Sequence, residues 1–508
     1  MIDVTLISAA IALGVFIGFF TGVIPGIHVN TVTALLLTAA VSVTAMGFDT
    51  MAMVAFISAL AISHTFFDII PGLFIGVPGD AVFAQLPGHR MVRAGQGKLA
   101  VRLSAVGSGM GLLIGVLLSG GLLIASEAAG WKPLGDLEQS LSRYMFFLLL
   151  AISALLVFSE RKKIASLAVF LASGLLGILV FNTPIVAGGT GAPVSALFPA
   201  LAGLFGIAGL IWSLMTLGKT SEISMEGNIE FKPKETPLPS IRGGAAGIVV
   251  GLLPGLGAAN AATLLLLVEG WLGRRRDRQY EDRAYLVTTS SLNTSEAIVA
   301  ITALYLIHKS RSGASIAIGQ LLGGDITIEM LEVVLISMAS GGIVSGFLLW
   351  YGGPDLAGKV KRLDYPSLNW GVIIFIFVLS GFLLGLGGVA ILLAATTIGI
   401  TPLVLEVRRG QLMGFFLVPT MLFYSGVSRT VYEALHLEQR QAPGETLEIG
   451  FVGVSLAVAL LFGVLLYKYI GSKDLSVAAH KSAAEKSYAG TVTVAIIIFL
   501  LKLLTTPG

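Results

Sequence analysis

From Ile7 to Val41 the chain carries no Asp, Glu, Lys or Arg. As one α-helix this stretch would be about 52 Å long, at roughly 1.5 Å per residue, against a hydrocarbon core of about 30 Å. It cannot be one straight crossing, and Pro25-Gly26 sits in its middle. Proline removes a backbone donor and glycine tolerates conformations that end a helix, so two half-helices or a tight pair are expected there. Backbone groups freed by such a break are tolerated in lipid only when protein buries them or they line a cavity.

The rest of the chain repeats this character. Of 508 residues, 55% are hydrophobic and 12% charged, where a soluble domain carries about 25% charged residues. Apolar stretches including Ile11–Phe20, Leu112–Leu118, Phe146–Phe158 and Ile373–Leu386 alternate with short charged loops. They predict an all-α polytopic membrane protein of about ten to twelve crossings. Asp3 stands where a cleavable signal would be basic, so the first segment is expected to be a retained helix. With no cysteine, disulfides, thiolate nucleophiles and Cys-based zinc sites are excluded. No metal, cofactor or nucleic-acid partner is expected beyond a coupling ion, H+ or Na+.

An internal repeat organises the chain. Gly14, Gly18, Gly22 and Gly26 are spaced by four, with Pro25 before the last; Gly243, Gly247, Gly251 and Gly255 repeat the pattern, with Pro254 before the last. The offset is 229 residues (254 − 25). A second turn follows each: Gly79 of Val77-Pro78-Gly79 lies 54 residues after Pro25 (79 − 25), and Gly313 of Arg311-Ser312-Gly313 lies 59 after Pro254 (313 − 254). Packing seams alone explain the glycine rows; they do not explain the recurring Pro-Gly and its matched downstream turn. The expected organisation is a first membrane repeat at 1–218, a polar linker at 219–240, a second repeat at 241–445, and two extra helices in 446–508 within apolar segments 449–470 and 489–504. The repeats are expected to be inverted, with Pro-Gly-broken helices and re-entrant hairpins.

Matched interrupted segments in two halves point to a transporter's binding site. His28, Asn30 and Thr31 follow the first break, and Gly257 and Asn260 the second. They would begin half-helices whose N-termini attract anions, although Asn30 and Asn260 would serve equally as N-caps. The candidate substrate site therefore comprises Pro25, Gly26, His28, Asn30, Thr31, Pro78, Gly79, Pro254, Gly255, Gly257, Asn260, Ser312 and Gly313. Ser63-His64-Thr65 with Asp68, and Asn293-Thr294-Ser295-Glu296, interrupt apolar runs in the two halves. Ionisable groups inside lipid are costly and point to function. His28, His64, Asp68 and Glu296 are thus candidates for ion coupling, against the plainer readings of an interfacial loop or a packing hydrogen bond. Histidine titrates near physiological pH, which favours protons through His28 or His64; sodium would instead use unwound backbone oxygens. Basic clusters at Arg90–Arg102, Arg161–Lys163 and Arg274–Arg283 mark candidate cytoplasmic loops.

These motifs resemble the TctA family, the large membrane subunit of tripartite tricarboxylate transporters. GVIPGIHVNT and GLLPGLGAAN look like its two glycine-rich segments, VPGDAVFAQLPGHRMVRAGQGKLAVRLSAVGS like its first-half block, and PSIRGGAAGIVVGLLPG like the start of its second half. The chain departs from the family at Phe66-Phe67-Asp68, at Asn293-Thr294-Ser295-Glu296-Ala297 and at Arg311-Ser312-Gly313-Ala314, which marks a divergent branch of an archaeal kind. The resemblance implies an ion-coupled permease in the cell membrane, working with a small membrane subunit and an extracytoplasmic binding protein; a divergent branch could act without them. The expected activity is secondary transport of a small organic anion such as a carboxylate. The alternative is a translocase for a phosphorylated polyprenyl lipid carrier. No GxxxxGK[ST], HExxH or GxSxG occurs, so neither a nucleotide-driven pump nor an enzyme is expected.

Overall fold

The computed structural model describes residues 3–24, 29–38, 40–74, 85–129, 133–182, 185–186, 193–194, 196–216, 231–252, 277–307, 312–323, 326–360 and 364–434. They are almost wholly helical. The first half holds α1 (Val4–Val23), α2 (Val29–Thr38), α3 (Ala40–Ala45), α4 (Thr50–Phe67), α5 (Ile69–Phe74), α6 (Gln85–Arg93), α7 (Gly97–Ala129), α8 (Pro133–Phe158) and α9 (Lys163–Asn182). A two-residue antiparallel pair, Ile185–Val186 with Pro193–Val194, precedes α10 (Leu197–Leu201), a π-helical turn (Ala202–Ile207) and α11 (Ala208–Thr216). The second half holds α12 (Pro237–Leu252), α13 (Arg278–Ile307), α14 (Gly313–Leu321), α15 (Ile328–Val360), α16 (Tyr365–Leu405), α17 (Gly414–Ser425) and α18 (Ser428–Ala434). Helix α12 begins inside the stretch read as linker; residues 435–508 lie outside the described residues.

Among the described residues, seven helices are long and apolar enough to cross a membrane. The expected ten to twelve also counted residues 449–470 and 489–504, which lie outside. Helix α13 is not among the seven although it has 30 residues. Its sequence is too polar for a lipid-facing span, and α1, α4, α7 and α12 pack around it or its partner α4.

The glycine rows set the packing. A Cβ on Gly14 would meet the Phe56 carbonyl at 2.5 Å, one on Gly18 the Ser63 Cβ at 2.6 Å, and one on Gly22 the Phe67 Cβ at 2.6 Å. On α12 and α13 the same ladder recurs: Gly243 against Thr288 and Ser291, Gly247 against the Leu292 carbonyl at 2.5 Å, and Gly251 against the Val299 Cβ at 2.8 Å. The glycine offset is 229 (247 − 18) and the partner offset 232 (292 − 60). The hydrogen bonds recur too: Ser63 donates to the Val15 carbonyl at 3.1 Å, and Ser295 to the Gly244 carbonyl at 3.2 Å. Absent side chains let backbones approach closely, which drives helix association in lipid.

The third helix of each half crosses over. Gly107, Gly111 and Gly115 of α7 lie against Val287, Ser291 and Ile298 of α13. Gly341 and Gly346 of α15 lie against Ala59 and Phe66 of α4, and Ser345 donates to Ser63 at 2.9 Å. Index rises along both helices in each of these ladders, so α1, α4 and α15 run in one direction and α12, α13 and α7 are likewise mutually parallel. Gly342 meets Leu112 while Gly353 meets Val101, so the two triads oppose each other. One core cluster joins α1, α4, α7, α13 and α15, a second joins α9, α10, α11 and α16, and Val250 of α12 belongs to a third.

Helix α16 contains a feature that composition did not announce. Its 41 residues would span about 60 Å, twice the core thickness. At Gly385 the backbone takes φ 60°, ψ −150°, and the chain bends sharply. A Cβ on Gly388 would lie 2.7 Å from the Ser380 carbonyl, although residues eight apart in a straight helix are about 12 Å apart. The stretch read as one apolar span, Ile373–Leu386, is the first arm of a bent pair.

Candidate functional site

Helices α4 and α13 cross at the centre of the two triads. In an apolar 18-residue stretch of the span Thr50–Phe74, 94% of the residues are buried, the highest share among the seven. Protein rather than lipid surrounds its polar residues, which lowers the cost of keeping them.

Three hydrogen bonds line the crossing. His64 Nδ1 lies 3.0 Å from Thr21 Oγ1 of α1. Thr65 Oγ1 lies 3.2 Å from Thr294 Oγ1 of α13. The Thr65 hydroxyl donates to the Ile62 carbonyl at 2.8 Å, so Thr65 accepts the bond from Thr294. One turn along α4, Asn293 Nδ2 donates to Asp68 Oδ2 at 3.0 Å. Two of the three bonds join the two halves of the sequence.

The halves differ at this seam. With the 232-residue offset between α4 and α13, Ser63 corresponds to Ser295 and His64 to Glu296, but Asp68 corresponds to Ala300 and Asn293 to Ala61. With the 229-residue offset between α1 and α12, Thr21 corresponds to the buried Val250. The shared serines hold the helix pairs together, whereas the titratable residues are particular to each half.

Of the predicted coupling residues, His64 falls on α4 and Glu296 on α13, and Asp68 is the residue that ends α4. Asp68 and Glu296 are half-buried and both are engaged with neighbours. His28 lies outside the described residues, as do Pro25, Gly26, Pro78, Gly79, Pro254, Gly255, Gly257 and Asn260. Around the first break, α1 ends at Val23 and Ile24 is extended, with φ −90° and ψ 113°. A residue before proline is pushed out of the α region, which accounts for that stop. Asn30 and Thr31 fall in the first turn of α2. Ser312 N-caps α14: its hydroxyl accepts from the Ser315 amide at 3.2 Å and Ser315 Oγ accepts from the Ser312 amide, with Gly313 buried behind it. Thr65 and Thr294 belong to the two polar interruptions read in the sequence, whereas Thr21 was missed; a single threonine in an apolar helix gives no signal until its neighbour across the interface is known.

A charged layer closes one end of the crossing. Arg90 of α6 pairs with Asp282 at the start of α13 through two bonds, Nε to Oδ2 at 3.0 Å and Nη2 to Oδ1. Hydrogen bonding to Asp282 holds the Arg90 guanidinium even more firmly protonated than usual. Arg283 reaches Glu235 at 3.3 Å, and His89 Nε2 lies 3.2 Å from the Gly72 carbonyl. Arg102 lies over the Trp350 ring, 5.6 Å from its centroid. Two of the predicted basic clusters therefore share this end. Among the described residues, no three His, Asp or Glu side chains cluster closely enough to hold a metal ion.

The fold is that of a multi-pass helical membrane protein with a polar, protein-enclosed seam where α4 and α13 cross. The sequence profile described as "Tripartite tricarboxylate transporter TctA family" matches residues 9–414, and the chain belongs to that family. It is a family of transporter membrane components that work with a small membrane subunit and an extracytoplasmic binding protein. The chain is 26% identical over 422 residues to the uncharacterized protein MJ1079 of Methanocaldococcus jannaschii, covering 81% of this chain and 97% of that protein. No solved structure matches it.

Proposed function

We propose that this protein is the permease of a secondary transport system that carries a small organic anion, of the carboxylate class, across the cell membrane with co-transported protons. The observation that carries this reading is the seam of His64, Asp68, Asn293 and Glu296, placed where α4 and α13 cross inside the protein. Moving an anion inward against a negative-inside potential costs about 2.3 kcal/mol per charge at 100 mV, and a co-transported cation offsets it. His64 is the group at the seam whose ordinary pKa lies nearest neutrality.

The substrate site is read as the two Pro-Gly breaks, with His28, Asn30, Thr31, Gly257 and Asn260 presenting half-helix N-termini to a carboxylate, and with Pro78-Gly79 and Ser312-Gly313 closing the cavity. The halves are read as an inverted repeat whose third helices, α7 and α15, are exchanged. The opposed triads and the recurring glycine ladder support that reading. A small membrane subunit and a binding protein are the proposed partners, as for other members of the family.

The test is uptake into proteoliposomes of a panel of labelled carboxylates under an imposed proton or sodium gradient. A proton gradient should drive accumulation of at least one, and H64Q should abolish the gradient-driven part. Accumulation driven by sodium alone and unchanged in H64Q would overturn the proton reading.

A further inference from the structure

We infer that Thr21 is the positioning residue that fixes His64 in the Nδ1–H tautomer, leaving Nε2 as the atom that takes up the proton. The inference rests on the proposed role of His64 and adds a second residue to it. Thr21 Oγ1 lies 3.0 Å from the Gly18 carbonyl and 3.0 Å from His64 Nδ1. A carbonyl oxygen only accepts, so the single hydroxyl proton of Thr21 goes to Gly18. Towards His64 the same oxygen offers only a lone pair. The ring nitrogen facing it must then carry a proton, and in the neutral ring the other nitrogen, Nε2, holds the basic lone pair.

The contact is built in from the sequence upwards. Gly18 and Gly22 flank Thr21 on α1, and a side chain at either would collide with Ser63, Leu60 or Phe67 of α4. The backbones therefore approach closely enough for a short threonine to reach the imidazole. Thr21 and His64 are both buried, so water cannot substitute freely for the hydroxyl.

Among the described residues, the charged groups around His64 are few. At the end of α4 Asp68 lies one turn on, and Glu296 of α13 lies level with His64, because Thr65 faces Thr294. Helices α1, α2, α5 and α14 carry no Asp, Glu, Lys, Arg or His between their ends. Those of α15 are Glu329, Glu332, Asp355 and Lys359, near its ends, whereas its Ser345 is the residue level with Ser63. On α7 they are Lys98, Arg102 and Glu127, again towards the ends. At Nδ1 the ring meets a neutral hydroxyl, and Asp68 and Glu296 are the charged neighbours a protonated ring would feel.

The experiment is 15N NMR of the full chain in nanodiscs, labelled at histidine, with the His64 signals assigned by difference against H64Q. At high pH the His64 pair should show a protonated Nδ1 and an unprotonated Nε2. T21V should lose that pattern in favour of the Nε2–H form or a mixture, and T21S should restore it. A wild-type His64 protonated at Nε2, or a T21V spectrum identical to wild type, would overturn the assignment. If T21V does not fold, the wild-type and T21S spectra still decide it. The readout is separable from transport: a confirmed tautomer with H64Q uptake unchanged would mean that Thr21 positions His64 for a role other than proton coupling.

Discussion

The Asn293 amide donates to the Asp68 carboxylate at 3.0 Å, across 225 residues of sequence. Neither residue has a polar counterpart in the other half, so this bond is not a relic of a duplicated packing seam. It ties α13 to the end of α4 at the level where α4 gives way to α5.

A double-mutant cycle over D68A and N293A should give a coupling of about 0.6–1.7 kcal/mol, the range for hydrogen bonds between membrane helices. Thermal unfolding in detergent measures it. A coupling near zero would mean that the bond adds nothing to the folded state.

The close approach of α1 to α4 predicts a sharp contrast between glycines. G18L places a side chain where even a Cβ would be 2.6 Å from Ser63 and should destabilise by about 1–3 kcal/mol or prevent folding. Gly109 of α7 has nothing within 4 Å of its Cβ position, and G109A should fold as well as wild type. Size-exclusion profiles after a heating series check both.

At Gly385 the backbone occupies a region that only glycine enters without strain. G385A should cost about 1–3 kcal/mol and lower the Tm. Gly387 has no positive φ and no neighbour within 4 Å, so G387A serves as the control.

The Arg90–Asp282 pair should behave as a unit. R90A should destabilise by about 1–3 kcal/mol, because a largely buried Asp282 loses its partner. The exchange R90D/D282R should recover part of that loss. Equal unfolding temperatures for R90A and wild type would show that solvent replaces the arginine.

At the proposed substrate site, Asn260→Leu should abolish uptake while membrane insertion stays intact, because a polar group is lost and the apolar length kept. Normal uptake by that variant would reduce Asn260 to a helix cap.

The sequence by itself determined the solvent, the secondary structure and the seams. Runs without charge longer than a bilayer, glycines spaced by four and Pro-Gly pairs dictate membrane helices that pack closely and stop at defined places, because those effects act within one helix or its nearest neighbour. Ile24 leaving the helix before Pro25 and the Gly14–Gly18–Gly22 ladder were legible in this way. The sequence did not contain which helix each seam meets. That α7 packs on α13 and α15 on α4, that Thr21 reaches His64, and that α16 bends at Gly385 depend on long-range packing, where several partners satisfy the same apolar face equally well. A glycine row states that something comes close, and a threonine that a hydrogen bond is available. Only the tertiary structure names the partner, because the choice rests on complementary shape over the whole interface rather than on any local property of the chain.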